Sequence, residues 1–271
     1  FDLKQRYQLT IILLAPDDEY KFDWVSTTYA TIADLVLTTD YVAVDRYRML
    51  GTNAHFWLHP VEILPNPSIS KKNKTYDVSF VGRMAADMKT RNNFRQYLQS
   101  RDHDFVVSWF GNNGPDDPNW LSQEEMVRTF RESLINLNFT GVSGYTKPDN
   151  PLISRMRGMK IKPLEIAAVG GFCISEFSVS LEHVFEDGVD IVFAKNHEDM
   201  LDKINYYLAH PEEAQKIASA AYETTKKLLS TNALKSRLQN LFKESQKHRS
   251  MNIYDEELVP NISRIFASSF M

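Results

Sequence analysis

The sequence has a single cysteine, and this scarcity limits what can hold the fold together. Cys173 alone cannot form a disulfide within the chain, so an internal disulfide framework is excluded. It falls in a predicted buried strand, where a free cysteine behaves as a small core side chain. No apolar run reaches the ~18 residues that a helix needs to cross a bilayer, which leaves only peripheral contact with a membrane open. The composition is consistent with a cytoplasmic enzyme, and this is the location we expect.

The chain also lacks an excess of positive charge. It has 31 Lys and Arg against 35 Asp and Glu, which gives a net charge of −4 over 271 residues. Without a strong basic block, nucleic acid is not an expected partner. The seven histidines show no ligand spacing. Asp102-His103-Asp104 precedes a predicted strand instead of ending one, so we interpret it as a polar turn and expect no metal site.

What the sequence does contain is a regular alternation of strand and helix patterns. Strands are predicted over 9–14, 36–39, 54–58, 76–82, 105–110, 134–138, 172–175 and 191–193. Helices are predicted over 23–35, 40–50, 91–99, 123–132 and 163–169, with three more amphipathic helices after residue 195. This alternation predicts an α/β fold with parallel, doubly wound sheets. In such sheets, ligands bind at the carboxyl ends of the strands.

The most informative segment covers residues 160–175. It is typical of a short helix followed at once by a buried strand, because Pro163 suits a first helical turn and two glycines end the helix. Lys160, Lys162 and Glu165 then stand at a helix N-terminus, whose free N–H groups and partial positive charge favour phosphate. The alternative is ordinary helix chemistry, since Glu is favoured in a first turn.

This segment resembles the nucleotide-sugar-binding half of GT-B glycosyltransferases, which have two Rossmann-like domains. In particular, it is similar to a bacterial group related to spore-coat maturation glycosyltransferases. In that group a basic residue, Pro, an aromatic residue or Leu, and Glu-Ile-Ala-Ala precede a small residue and Gly-Gly. The corresponding run here starts at Lys162 and ends at Gly171. The resemblance implies a hexosyltransferase-like enzyme (EC 2.4) of polysaccharide or glycoconjugate biosynthesis, in which Glu165 binds the ribose hydroxyls and the basic residues face the diphosphate.

Two positions depart from the pattern of these relatives. The family usually has Arg before the proline, whereas this chain has Lys162, which lacks the bidentate fork of a guanidinium. Many relatives carry a second Glu eight residues before the ribose-binding one, and this position is Arg157 here. A catalytic role carried by that acid therefore cannot be transferred to this chain.

The loop after the predicted strand 76–82 also resembles the donor site of these enzymes. Relatives begin their donor domain with Val-Gly-Arg and place a Lys several residues later, and both basic groups lie on the diphosphate. Gly82, Arg83 and Lys89 match this layout, and a glycine lets the backbone approach the ligand closely. The alternative is an ordinary turn with solvated charges.

Two further loops complete the predicted donor site. By resemblance, Gly111 and Asn112 lie near the nucleotide base, although Gly and Asn are equally typical of a simple turn. Gly141 follows the strand 134–138 and leaves room for a sugar, although such a segment would also suit a mobile loop. The resemblance implies no cofactor and no required metal, only a nucleotide diphosphate sugar as donor.

Residues 1–66 resemble only the later part of an N-terminal acceptor domain. Asp17 and Asp18 follow its first strand, and an inverting transferase needs a carboxylate or His to take the acceptor proton. The alternative is that these acids cap a helix or turn.

The resemblance also divides the chain. We expect a partial acceptor-side domain over 1–66, a donor domain over 67–245, and a C-terminal helix or tail over 246–271 that is free to pack back on the first. The start at Phe1 is compatible with a piece of a longer protein. The expected partners are the nucleotide sugar and a glycan, protein or small-molecule acceptor. A non-catalytic nucleotide-sugar-binding domain and a nucleotide-sugar epimerase of similar fold remain as alternatives.

Overall fold

The computed structural model describes residues 2–65, 74–111, 119–142 and 156–251. The first part of the chain alternates helices with three short strands. Its elements are α1 (Asp2–Arg6), β1 (Ile12–Ala15), α2 (Asp18–Lys21), a π-helical turn (Phe22–Ser26), α3 (Thr27–Ala30), β2 (Leu35–Thr38), α4 (Tyr41–Met49) and β3 (Ala54–Phe56).

The second part of the chain continues the alternation and ends in three long helices. Its elements are β4 (Tyr76–Val81), α5 (Lys89–Gln99), β5 (Val107–Phe110), α6 (Gln123–Glu132), β6 (Ser133–Asn138), α7 (Lys162–Ala167), β7 (Cys173–Glu176), α8 (Val179–Glu182), β8 (Val192–Ala194), α9 (His197–Ala209), α10 (Pro211–Leu229) and α11 (Thr231–Met251).

The described strands form two parallel sheets. The first has the order β1-β2-β3 and the second the order β5-β4-β6-β7-β8, and every strand pair in both sheets runs parallel. The predicted parallel α/β fold is therefore confirmed. Because parallel strands all end at the same edge, the loops after β4, β5, β6 and β7 meet at one side of the second sheet.

Aromatic packing fixes the helices on the second sheet. Phe94 on α5 is fully buried, and its ring centroid lies 5.6 Å from that of Phe139, which directly follows β6. Phe139 in turn contacts Phe80 of β4 with centroids 5.4 Å apart. Burying one such side chain contributes roughly 1.5–3 kcal/mol, so this cluster fixes α5 against the sheet beside the ends of β4 and β6.

The last helix returns to the first sheet. Leu241 of α11 is buried in a cluster with Leu35, Leu37 and Trp57. Arg237 on the same helix donates to the carbonyl of Phe56 and stacks over the Trp57 ring at 5.4 Å. We call the first sheet with its helices the first unit, and the second sheet with its helices the second unit. Because α11 follows the second sheet in the chain and packs on the first, it links the two units. In the described ranges, no helix has the length and apolarity that a membrane span requires.

Capping residues explain why several predicted boundaries agree with the structure. The helix predicted over 123–132 is found as α6 over the same residues, because Ser122 and Glu125 form a capping box at its start. Asn196 caps α9 by accepting from Asp199 N. The predicted helix over 23–35 is wrong in its limits, since the helical segment begins at Asp18, includes the π-helical turn and ends at Ala30.

Candidate functional site

The ends of β4 and β5 bring the first predicted loop into the site. The amide of Gly82 donates to the carbonyl of Phe110 at 3.0 Å, which holds the two strand ends together and sets Gly111 beside them. A β-carbon on Gly82 would lie 2.8 Å from the Phe80 ring and 3.4 Å from Arg91 Nη1. The Phe80 ring therefore leaves too little room for a β-carbon at this position, whereas the distance to Arg91 is an ordinary contact. Asn112 lies outside the described residues.

Arg91 is the most unusual charge at this edge. Its side chain is only 8% exposed, its Nη1 donates to the carbonyl of Arg83 at 2.6 Å, and its guanidinium lies 5.1 Å from the Phe80 ring centroid. Its Nε is buried without a hydrogen-bond partner among the described residues. Burial lowers the pKa of Arg91 to about 10. A buried guanidinium with an unused N–H is a natural partner for an anionic ligand.

The sequence analysis missed Arg91 as a site residue and used it only as the start of a helix. The predicted basic residues are nearby: Arg83 pairs with Asp87 at 3.2 Å, and Lys89 is exposed at the first position of α5. The signal available in the sequence was a basic side chain in the first turn of a helix that follows a glycine-containing loop. Lys89 and Arg91 share that signal, and only packing distinguishes the exposed one from the buried one.

Lys160 approaches the same cluster from the loop before α7. Burial lowers its pKa, while the charge of Glu19 raises it and that of Arg91 lowers it, with smaller effects from Asp17 and Glu176. Lys160 therefore lies within electrostatic range of Arg91, which donates to the backbone carbonyl of Arg83. Basic residues from three different segments are thus near one another at the carboxyl edge of the second sheet.

Lys162 and Glu165 lie on the side of this edge that faces α6. The Lys162 Nζ is 2.7 Å from Glu165 Oε2, and it also contacts the sulfur of Met126 at 3.1 Å. The Phe130 ring lies 5.9 Å from the same ammonium group. The structure thus brings Lys162 and Glu165 to each other and turns Lys162 toward α6, whereas Arg91 belongs to α5 and Arg83 precedes that helix. The expected role of Lys162 at the diphosphate stays a prediction.

Glu176, at the end of β7, organises the loop that contains Gly141. Its Oε2 accepts from the amides of Thr140 at 2.9 Å and Gly141 at 3.3 Å. It also interacts electrostatically with Arg91 and Lys160. The sequence analysis did not single out this carboxylate, because its role depends on the neighbouring strand end. Glu176 supplies the negative charge that offsets part of the basic cluster.

Gly141 has no room for a side chain, because Thr90 of the neighbouring helix α5 packs against it. A β-carbon there would lie 3.0 Å from Thr90 Cβ and closer still to the Thr90 methyl and hydroxyl groups.

We expect Gly141→Ala to destabilise the fold by about 1–3 kcal/mol, the usual cost of overpacking. Chemical denaturation of the single variants and the double variant with Thr90→Ala measures the coupling. An equal penalty in the Thr90→Ala background would contradict this explanation.

The three acidic residues after β1 have different environments. Asp17 pairs with Lys21 at 2.7 Å at the surface of α2. Asp18 is fully buried and accepts from the Tyr47 hydroxyl at 2.9 Å, and burial raises its pKa. Glu19 reaches the second unit, where its Oε1 accepts from the amide of Met159 at 2.6 Å. Burial raises the pKa of Glu19 to about 7. Glu19 is thus a second site residue that the sequence analysis missed.

A cavity of about 530 Å³ opens beside this cluster at the ends of β7 and β8. Its lining residues include Tyr97, Arg157, Glu176, Lys195 and His197. The volume lies in the range of small-molecule sites. A second cavity of about 450 Å³ lies along the outer face of α6, away from the basic cluster, and is not part of the candidate site. In the described ranges, no group of three or more His, Cys, Asp or Glu side chains is arranged to hold a metal.

Comparison with known families identifies what these elements resemble. Residues 86–243, more than half of the chain, match the model of the family described as glycosyl transferase-like. No curated protein sequence matches the chain. The matched range contains Arg91, Lys160, Lys162, Glu165 and Glu176, so it includes most of the candidate site.

Solved structures show where the same fold occurs. Sucrose-phosphate synthase from Thermosynechococcus elongatus has a TM-score of 0.63 at 11% identity, over 90% of this chain and 70% of that one. HepE from Anabaena, solved with UDP and glucose, has a TM-score of 0.62 at 11% identity, over 89% and 73%. TarM has a TM-score of 0.57 at 15% identity, over 80% of this chain and 46% of its own length. The chain thus spans about half of TarM, and at these identities the likeness shows the fold alone.

Proposed function

Because the chain belongs to the glycosyl transferase-like family, we propose that it transfers a sugar from a nucleotide diphosphate sugar to an acceptor hydroxyl. The observation that carries this proposal is the buried Arg91, with its unpartnered Nε, beside Arg83 and Lys160. Arg91 is buried with an Nε that has no partner among the described residues, and a diphosphate at the carboxyl edge of a parallel sheet supplies an acceptor for it.

In the proposed reaction, the acceptor oxygen forms a bond to the anomeric carbon of the sugar. The bond between that carbon and the diphosphate breaks, and the proton of the acceptor hydroxyl goes to a base. The electron pair of the broken bond stays on the diphosphate, which gains one negative charge, and Arg91 and Lys160 would stabilise this leaving group more than they stabilise the intact donor. Asp17 stays a candidate base, whereas Asp18 is enclosed and bonded to Tyr47.

Several finer assignments accompany this proposal. The run from Lys162 to Gly171 supports a place in the spore-coat-related group of GT-B transferases. In this proposal Glu165 binds the ribose hydroxyls, and the sugar of the donor occupies the cavity of about 530 Å³ beside Glu176. HepE was solved with UDP-glucose, and a mutant of S. aureus TarM with Fondaparinux, alpha-GlcNAc-glycerol and UDP. We therefore take UDP and UDP-glucose as the first probes, and keep the cytoplasm as the expected location.

The ribose assignment is tested by Glu165→Ala. We expect the variant to bind UDP more weakly by about 1–3 kcal/mol, because a hydrogen bond to a charged group is lost. Isothermal titration calorimetry with UDP, GDP and ADP measures the affinity and selects the nucleotide. We expect this loss of affinity although the Glu165→Ala substitution also frees Lys162, whose Nζ lies 2.7 Å from Glu165 Oε2 in the wild type.

A matched control is Glu124→Ala, which removes an equal charge from the exposed first turn of α6. We expect the affinity of this variant to equal that of the wild type. Unchanged affinity in a folded Glu165→Ala protein would show that Glu165 serves α7 alone. If the wild type binds none of the three nucleotides and releases no UDP from UDP-glucose, the proposed function itself fails.

A further inference from the structure

Glu19 connects the first unit to the loop that precedes α7. Its Oε1 accepts from the amide of Met159, 140 residues later in the chain, at 2.6 Å. The contact is close along the whole carboxylate, since a β-carbon on Gly158 would lie 3.0 Å from both Glu19 Cδ and Glu19 Oε1. Gly158 is therefore the residue type that allows this carboxylate to reach the backbone.

The loop that Glu19 contacts is also fixed to the second sheet. Gly158 N donates to the carbonyl of Thr140 at 2.8 Å, and Arg157 forms an antiparallel bridge with Gly141. Residues 157 and 158 are thus held by the end of β6, and residue 159 is held by Glu19. The next residue in the chain is Lys160, whose position follows from these two attachments.

Lys160 brings the effect of Glu19 into the basic cluster. The carboxylate of Glu19 is the strongest charged neighbour of Lys160, and Arg91 is the next. The charges of Asp40 and Lys160 in turn act on Glu19. A single side chain of the first unit therefore both holds the backbone before Lys160 and attracts its charge.

We propose that Glu19 is a positioning residue for the nucleotide site: it fixes Met159 and so places Lys160 beside Arg91, where both face the diphosphate. This inference rests on the proposed function, because it assigns the cations to a diphosphate. It adds that the acceptor-side unit contributes to donor affinity through one hydrogen bond, although all the cations belong to the other unit.

Three variants separate the hydrogen bond from the charge. Glu19→Ala removes both the acceptor oxygen and the charge. Glu19→Gln removes the charge but keeps an oxygen that accepts from Met159 N. Asp23→Asn removes an equal charge from the same helical segment, but Asp23 is exposed, pairs with Arg46 and does not bind the loop.

Hydrogen exchange and calorimetry give two independent readouts. In the free protein, we expect the amide of Met159 to exchange about 10-fold faster in Glu19→Ala, and at nearly the wild-type rate in the other two variants. With UDP as the probe, we expect the dissociation constant to rise about 10-fold in Glu19→Ala and by less than about 3-fold in Glu19→Gln and Asp23→Asn.

Each result decides between the two proposals. If UDP binds the wild type and Glu19→Ala equally well, the positioning role is overturned and the proposed function stands. If Glu19→Gln loses as much affinity as Glu19→Ala, the charge acts directly and the backbone contact is not what matters, which also overturns it. If the wild type binds no nucleotide, the proposed function fails and the link to a diphosphate fails with it, while hydrogen exchange still decides whether Glu19 holds the loop.

Discussion

Arg91→Met is expected to weaken UDP binding by about 100-fold, which corresponds to roughly 3 kcal/mol. The guanidinium is 8% exposed and its Nε has no partner among the described residues, so a phosphate oxygen there would meet a donor already stripped of water. A charge-assisted hydrogen bond in such a place is worth about 1.5–3 kcal/mol, and a guanidinium can form two of them. Isothermal titration calorimetry measures the loss.

The same variant is expected to be at least as stable as the wild type, and this separates a binding role from a structural one. Burial lowers the pKa of Arg91 to about 10, which means that the charged form costs free energy where it lies. Methionine retains an aliphatic stem over the Phe80 ring and carries no charge. A protein that loses affinity but not thermal stability has given up a binding residue.

Arg95→Met provides the matched control for this experiment. Arg95 lies one turn later on α5, is exposed, and stacks over the Trp109 ring at 5.8 Å, away from the cluster. We expect its variant to bind UDP as the wild type does. Arg91→Lys should lose part of the affinity, because it keeps the charge without the fork. If Arg91→Met bound UDP at full strength, the basic cluster would not be the diphosphate site.

The sequence predicted the elements of the fold better than their contacts. Strand and helix patterns depend on local periodicity, and the capping residues Ser122 and Asn196 fix the starts of α6 and α9 locally. The π-helical turn at Phe22–Ser26 has no such local signal. Phe22 lies there against Tyr47 of α4, with ring centroids 4.7 Å apart, so its conformation depends on tertiary packing.

The site residues show the same division. A motif singles out Gly82 and Arg83, and in the structure they directly follow β4, with Gly82 bonded to Phe110 beside Gly111; their role at the diphosphate stays a prediction. Arg91 and Glu19 were not predicted as site residues. What distinguishes them from other charged residues is their burial, and burial depends on residues far away in the chain. Glu19 meets Met159 across 140 residues, a distance over which no spacing pattern is informative.

Glu19→Gln is expected to stabilise the protein at pH 8 and to leave its stability nearly unchanged at pH 4. Burial raises the pKa of Glu19 from 4.5 to about 7, and the charge of Asp40 acts in the same direction, while Met159 N and Lys160 oppose it. The folded protein therefore holds a proton on Glu19 between pH 4.5 and 7 that the unfolded chain releases. Over that window, the free energy of unfolding falls as the pH rises.

The whole penalty is present above pH 7, where the carboxylate is charged in both states, and it amounts to at most about 3 kcal/mol. Glutamine does not titrate, so its variant avoids the penalty while its oxygen still accepts from Met159 N. For a chain of this size we expect a gain of roughly 5 °C in melting temperature at pH 8. Below pH 4.5 both side chains are neutral and the two proteins should melt together.

Thermal melts of the wild type, Glu19→Gln and Asp23→Asn at pH 4, 6 and 8 measure this difference. Asp23→Asn removes one negative charge from the exposed π-helical turn, where Asp23 pairs with Arg46, and so controls for the loss of a charge alone. A difference between Glu19→Gln and the wild type that stays constant from pH 4 to pH 8 would mean that Glu19 titrates as an ordinary exposed carboxyl. If the difference in melting temperature rises with pH, the charged form of Glu19 is destabilised by burial where the first unit meets the loop before Lys160. This is the free-energy cost that a residue retained for positioning is expected to carry.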